Sequence, residues 1–205
     1  MDISDDPAAD DYLLPVELYP EFSVRVAVFE DCTNASQLVQ QVIGGEIAGD
    51  LALVDANFVV SVRILRQAAT NCARRAATAA AGRDPAVKAH DLPRARTRGA
   101  DLVYALAPAT SIGGAFKDCG ASAATTRLLV CAVSSTPADF RALLERVAGR
   151  QVALAALDAR SAAADEALVK LFRLSAEERR DVERAILTRL ATKDLVSKEK
   201  KKGKW

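Results

Sequence analysis

One histidine, one tryptophan and one methionine occur among 205 residues, and aromatic side chains make up only 5% of the chain. Hydrolases, transferases and metalloenzymes draw on histidine, paired carboxylates, a metal cluster or a phosphate loop. This sequence is poor in all four. His90 lies in the stretch KAHDLPRAR beside a proline, and reads as a surface-loop imidazole without partners. Cys32, Cys72, Cys119 and Cys131 are widely spaced, with no CxxC pair, so neither a zinc site nor a disulfide framework is expected. They read as reduced, mostly buried thiols. Net charge is nearly absent, 28 basic against 27 acidic residues, so the whole-chain field calls for neither nucleic acid nor an anionic membrane. No apolar run approaches the roughly 18 residues of a membrane span, and no basic start leads into an apolar stretch. These absences predict a noncatalytic protein with no metal, cofactor or membrane, a soluble protein of the cytosol or nucleus.

Glycine pairs at Gly44-Gly45 and Gly113-Gly114 fit neither GxxxxGK(S/T) nor a strand-turn-helix GxGxxG. The first pair reads as helix punctuation. The second sits at a helix start and either is simply tolerated or admits a partner's close approach. Carboxylates Asp165, Glu166, Glu177, Glu178, Asp181 and Glu183 lie on helical surfaces, the later ones interleaved with Arg179, Arg180 and Arg184, as a solvated face does.

Half of the chain is hydrophobic, enough for one sizeable core. Its ends differ. Residues 1–14 carry Asp2, Asp5, Asp6, Asp10 and Asp11 without a basic residue and read as a disordered acidic tail. Residues 15–196 read as a single domain, with folding beginning near Pro15. Residues 197–205 hold Lys198, Lys200, Lys201, Lys202 and Lys204 and read as a flexible basic tail, able to add RNA affinity or to serve as an import signal.

Alternation in FSVRVAVF predicts a strand over 22–29, with Phe22, Val24, Val26 and Val28 on one side. A short helix follows, stopped by Gly44-Gly45. LALVDA at 51–56 predicts a strand, with Asp55 or Asn57 as N-cap of a long helix from Phe58 to about Ala81. On that helix Phe58, Val62, Leu65, Ala69, Cys72 and Ala76 form an apolar stripe, and Arg63, Arg66, Thr70 and Arg74 another face. Residues 82–99 read as a basic loop. DLVYALA at 101–107 and RLLVCAV at 127–133 read as buried strands flanking a helix at 111–119. Thr136 before Pro137 opens a further helix closing at Gly149. Ser161 caps a helix to Val169, and Ser175 with Glu178 is a capping box before a helix ending near Lys193 or Leu195. About four strands and six helices predict an α/β (α+β) fold, a small, mostly antiparallel sheet with helices packed against it.

Several segments, in order along the chain, resemble the motifs of one known family. Leu18-Tyr19-Pro20-Glu21 is similar to the family's L-F/Y-P-E/Q entry, and VAVFEDCTNASQL to its F-K-D-V-x-N-A, with Glu30 for Lys and Cys32 for Val. Gly45-Glu46 resembles its EG-type helix end, and VDANFVVSVRILRQA the segment leading into its long helix. Arg94-Ala95-Arg96-Thr97 is similar to K-T-R/K-T/S, and Asp101 to Pro108 to E-I-I/V-F/Y-x-L-S-P. Ser111 to Gly120 and the ending Arg189-Leu190-Ala191-Thr192-Lys193-Asp194-Leu195 complete an ordered series over about residues 18 to 196, and by this series the chain resembles the TPRKB family, the kinase-binding subunit of the EKC/KEOPS complex. Departures are an Ala-rich basic insertion at 80–93, Ala109-Thr110-Ser111 in place of a run of asparagines, and the lysine tail.

The resemblance implies a noncatalytic adaptor that binds the complex's atypical protein kinase directly and meets the other subunits through it. It also implies help in recruiting tRNA, including its acceptor end, for threonylcarbamoyl-adenosine (t6A) formation beside the anticodon. The transfer itself belongs to another subunit. With the resemblance, the expected location becomes cytoplasm and nucleus. For the kinase, the last helix offers Ile186, Leu187, Leu190, Ala191, Lys193 and Leu195, either as contact face or as internal packing. For RNA, Arg63, Arg66, Arg74, Arg94, Arg96 and Lys117, with Arg98, form either a phosphate-contacting patch or a solvated one. A small RNA-binding α/β protein acting outside that complex is the competing expectation. An enzymatic reading requires distant groups such as Cys32, His90 and Asp101 to converge.

Overall fold

The computed structural model describes residues 13–81, 95–159 and 161–202, and side chains as far as Lys193. His90, Arg94 and most of the 80–93 insertion lie outside the described residues. The described residues hold five strands, β1 (Leu13–Leu14), β2 (Val24–Glu30), β3 (Asp50–Asp55), β4 (Leu128–Val133) and β5 (Arg150–Val152). Seven helices accompany them: α1 (Ala35–Ile43), α2 (Val62–Ala80), α3 (Arg98–Leu106), α4 (Ile112–Cys119), α5 (Pro137–Leu144), α6 (Ala162–Phe172) and α7 (Val182–Lys202). The sheet order is β1-β2-β4-β3, with β5 also on β2, and every strand pair is antiparallel. The expected α+β architecture is borne out.

Period-two alternation places each sheet residue. Val24, Val26 and Val28 of β2, Ala52 and Val54 of β3, and Leu129, Cys131 and Val133 of β4 face one core. Ala27, Phe29, Leu53, Leu128, Val130 and Ala132 face a second. Both faces are covered, so the central strand β4 is buried along its whole length. Each fully buried valine or leucine there contributes about 1.5–3 kcal/mol. On one face lie α1 and α5, through Leu38, Phe140, Leu143 and Leu144. On the other lie α2, α3, α6 and α7, through Leu65, Leu102, Leu168 and Ile186.

Expected caps recur where side-chain chemistry requires them. Thr136 Oγ1 accepts from the Asp139 amide at 3.1 Å, and Ser161 Oγ from that of Ala164 at 3.2 Å. Ser175 and Glu178 cap reciprocally: the Ser175 amide donates to Glu178 Oε2 at 2.8 Å, the Glu178 amide to Ser175 Oγ at 3.3 Å. Gly45, at φ +78°, ends α1 in the left-handed region that only glycine enters freely.

Several boundaries are corrected. The tail expected over 1–14 loses its last two residues: Leu13 and Leu14 pair with Arg25 and Val24, and Leu14 is buried in the core. The long helix starts at Val62 because Asp55 caps a short 3-10 turn, Ala56–Phe58, leaving Ser61 as the cap of α2. α5 ends at Leu144 and turns continue to Gly149. α6 runs to Phe172 and α7 to Lys202, into the segment expected as a flexible tail.

The largest correction is DLVYALA, which is helix α3, not a strand. A short apolar run carries no period by which strand and helix differ, and here it is buried on nearly every side. Thr97 Oγ1 accepts from the Ala100 amide at 3.2 Å and starts the helix inside the expected loop. Its first turn lies against the free edge of β3: a Cβ on Gly99 would stand 2.1 Å from the Leu51 carbonyl oxygen. Gly120 bridges Val54 and the Ala121 amide donates to Leu53 O at 2.9 Å, so this edge is covered.

Candidate functional site

Among the described residues, three of the four buried polar or charged ones belong to one knot, Arg75, Asp101 and Lys193, gathered around Tyr104. Arg75 occupies the buried stripe of α2 one turn after Cys72, and only 2% of it is exposed. Its Nε donates to Asp101 Oδ2 at 2.9 Å, and Nη2 lies 2.8 Å from the same oxygen. An unpaired charge at this depth would be strongly unfavourable, so the pair fixes α3 against α2. The guanidinium carbon stands 6.0 Å from the Tyr104 ring centre.

At the other end of α3, Lys193 reaches in from α7. Its Nζ donates to the Tyr104 carbonyl and, at 2.8 Å, to the Ala107 carbonyl, and stands 3.6 Å from the Tyr104 ring centre. The last carbonyls of a helix lack intrahelical donors and carry its negative end, which a buried ammonium satisfies.

The six residues expected to face a kinase separate accordingly. Ile186 and Leu190 are 0% and 6% exposed and belong to the core, and Lys193 is buried in the knot. For these three the internal packing left open by the sequence is what the fold shows: an amphipathic helix must first cover its own sheet. Leu187 is half-buried, packed on the core at its margin, and Ala191 one turn on is exposed. The Leu195 side chain lies outside the described ones. α7 is held at its start as well, where Arg189 Nη2 donates to both Glu178 carboxylate oxygens, at 2.9 and 2.7 Å. The Ser175 amide, then Arg189, hold the Glu178 carboxyl below its ordinary range.

The cations expected to meet RNA are spread over three places. Arg63 and Arg66 are exposed and Arg74 half-buried on α2, Arg96 is exposed just before α3, and Lys117 is exposed in the last turn of α4 beside the half-exposed Phe116. Arg63 and Arg74 are separated by about 16 Å of helix. Arg63 Nη1 lies 3.9 Å from Glu183, whose Oε1 accepts from Ser61 Oγ at 2.6 Å. These residues with Val60 and Asp158 line a cavity of about 330 Å³ between α2 and α7. Arg98 donates to Ser134 Oγ at 2.9 Å and stacks 5.8 Å from the Phe22 ring centre. Of the second glycine pair, Gly113 has open space and Gly114 lies under the Ser111 cap.

Catalytic convergence does not occur as the enzymatic reading requires. Cys32 packs in the α1/α5 core, whereas Asp101 is paired on the opposite side of the sheet. Burial pushes the Cys119 and Cys131 thiols up to about 12 and Cys72 higher still, so none of these three supplies thiolate near neutral pH. Among the described residues no group of three His, Cys, Asp or Glu side chains could hold a metal ion, and no helix is long and apolar enough to cross a membrane.

The sequence expectation missed the Arg75-Asp101-Tyr104 knot. Its signal was present as a charge at a core position of α2 and another inside an apolar run, each needing a partner.

Known proteins of similar sequence name the family. The chain is 27% identical over 188 residues to the zebrafish (Danio rerio) EKC/KEOPS complex subunit TPRKB, covering 88% of this chain and 96% of that one. It is 30% identical over 116 residues to the Aspergillus fumigatus EKC/KEOPS complex subunit cgi121, covering 56% of this chain and 54% of that one. Residues 29–194 match the family described as kinase binding protein CGI-121, so they run from β2 through Lys193 and the whole of the knot. The chain belongs to the CGI-121 family of kinase binding proteins.

Proposed function

We propose that this protein is a noncatalytic subunit of an EKC/KEOPS-type complex, binding the complex's atypical protein kinase directly and meeting its other subunits through that kinase. The family match over residues 29–194 carries the reading. The outer side of α7, with Leu187 and Ala191, serves the kinase: a helix held firmly beneath presents a narrow apolar strip flanked by Arg184 and Thr188. The protein works in cytoplasm and nucleus.

The same subunit helps recruit tRNA, including its acceptor end, for t6A formation beside the anticodon. Arg63, Arg66, Arg74, Arg94, Arg96 and Lys117 contribute phosphate contacts. Capture of the tagged chain from extract of its own cells, followed by mass spectrometry, tests the assignment. Recovery of an atypical kinase with further complex subunits is the expected result. A natively folded bait that returns RNA and no kinase contradicts it and favours an RNA-binding protein acting alone. For the tRNA role, affinity falls steeply as salt rises; an affinity indifferent to salt removes the phosphate contacts.

A further inference from the structure

We infer that Lys193 is a positioning residue, which locks the rotation and register of α7 and so decides which side of that helix a partner meets. The partner-facing part of this inference rests on the function proposed above. The inward stripe of α7 runs Ile186, Leu190, Lys193, an apolar series whose last described member is an ammonium. Burying that group is unfavourable unless its donors are met. They are met by fixed atoms: the Tyr104 and Ala107 carbonyls and the face of the Tyr104 ring.

Apolar contacts alone permit small slides and turns of a helix, because hydrophobic attraction has no direction. Directed bonds to two carbonyls do not. Their acceptors sit at the end of α3, itself fixed by Gly99 on β3 and by Asp101 with Arg75 on α2. Lys193 therefore ties α7 to a helix that is itself anchored on both β3 and α2. A turn of one residue is about 100° and would carry Leu187 and Ala191 out of the exposed margin.

The test compares Lys193→Met, which keeps the stem and removes the cation, with Lys193→Arg, which keeps a cation. Native-state hydrogen exchange is read at α7 amides 189–192 and at β4 amides 129–131, together with the affinity for the purified kinase. In Lys193→Met the α7 amides exchange about tenfold faster or more while β4 stays within about twofold, and kinase affinity falls about tenfold. Lys193→Arg recovers part of both. Acceleration of α7 and β4 together, or a Lys193→Met affinity within about twofold of the parent, overturns the inference by reducing Lys193 to general stability. Should Lys193→Met yield no folded protein, Lys193→Gln, which still donates to one carbonyl, replaces it in the same comparison. A parent chain that binds no kinase overturns the functional reading, and the exchange contrast then decides the locking of α7 by itself.

Discussion

The two sides of the sheet are built differently. Behind it, α1 and α5 pack with Leu38, Phe140, Leu143 and Leu144, an apolar layer whose members are interchangeable in kind. In front, α2, α3 and α7 are threaded by Arg75, Asp101 and Lys193 as well as by aliphatic side chains. Apolar burial supplies stability without direction; buried, satisfied charges add little net stability but make misplacement costly. The front layer is where buried charges constrain helix position, and it includes α7, the helix proposed above to meet the kinase.

Breaking the front layer gives the largest effect. Asp101→Ala leaves Arg75 buried without its carboxylate and lowers stability by about 3–5 kcal/mol in chemical denaturation, whereas replacing both residues by leucine returns most of the loss. Phe140→Ala behind the sheet costs a comparable amount, about 3–5 kcal/mol, by cavity formation. Its consequence differs: α7 exchange and kinase affinity stay at parental values under native conditions. A loss of kinase binding in folded Phe140→Ala would erase the contrast between the layers. Gly99→Ala drives a methyl into the Leu51 carbonyl and costs about 1–3 kcal/mol or more, seen as a lower denaturation midpoint.

The smallest effect belongs to the half-exposed Glu178. Its folded-state pKa is lowered, so the stability it adds is complete above its ordinary value of 4.5 and is lost as pH falls through the lowered one. Denaturation midpoints of the parent and Glu178→Gln are therefore separated by a constant, small amount above pH 4.5 and converge on acidification.

Elements with a period or a cap were legible in the sequence: alternation in β2, the Thr136-Pro137 and Ser161 caps, the Ser175-Glu178 box. α3 was not, because seven consecutive mostly apolar residues fit either a buried strand or a buried helix, and only the packing against β3 and α2 decides. The site followed the same division. Residues 186–193 were recognisable as one amphipathic helix, yet periodicity cannot tell a lysine reaching solvent from one reaching a carbonyl across the core. Leu187 and Ala191 kept the role expected of them as a proposal; Ile186, Leu190 and Lys193 turned inward. For the cations, linear spacing placed Arg63, Arg66 and Arg74 on one face of α2 but could not bring Arg96 or Lys117 beside them.

Titration calorimetry of the purified kinase into the parent chain and into Ala191→Arg tests the central claim most directly. Ala191 is exposed, so the substitution leaves the fold, checked by circular dichroism, in place. The account predicts a one-to-one complex with the parent and loss of about tenfold or more in affinity for Ala191→Arg. Equal affinities would move the kinase to another face, and no binding by the folded parent would contradict the assignment itself.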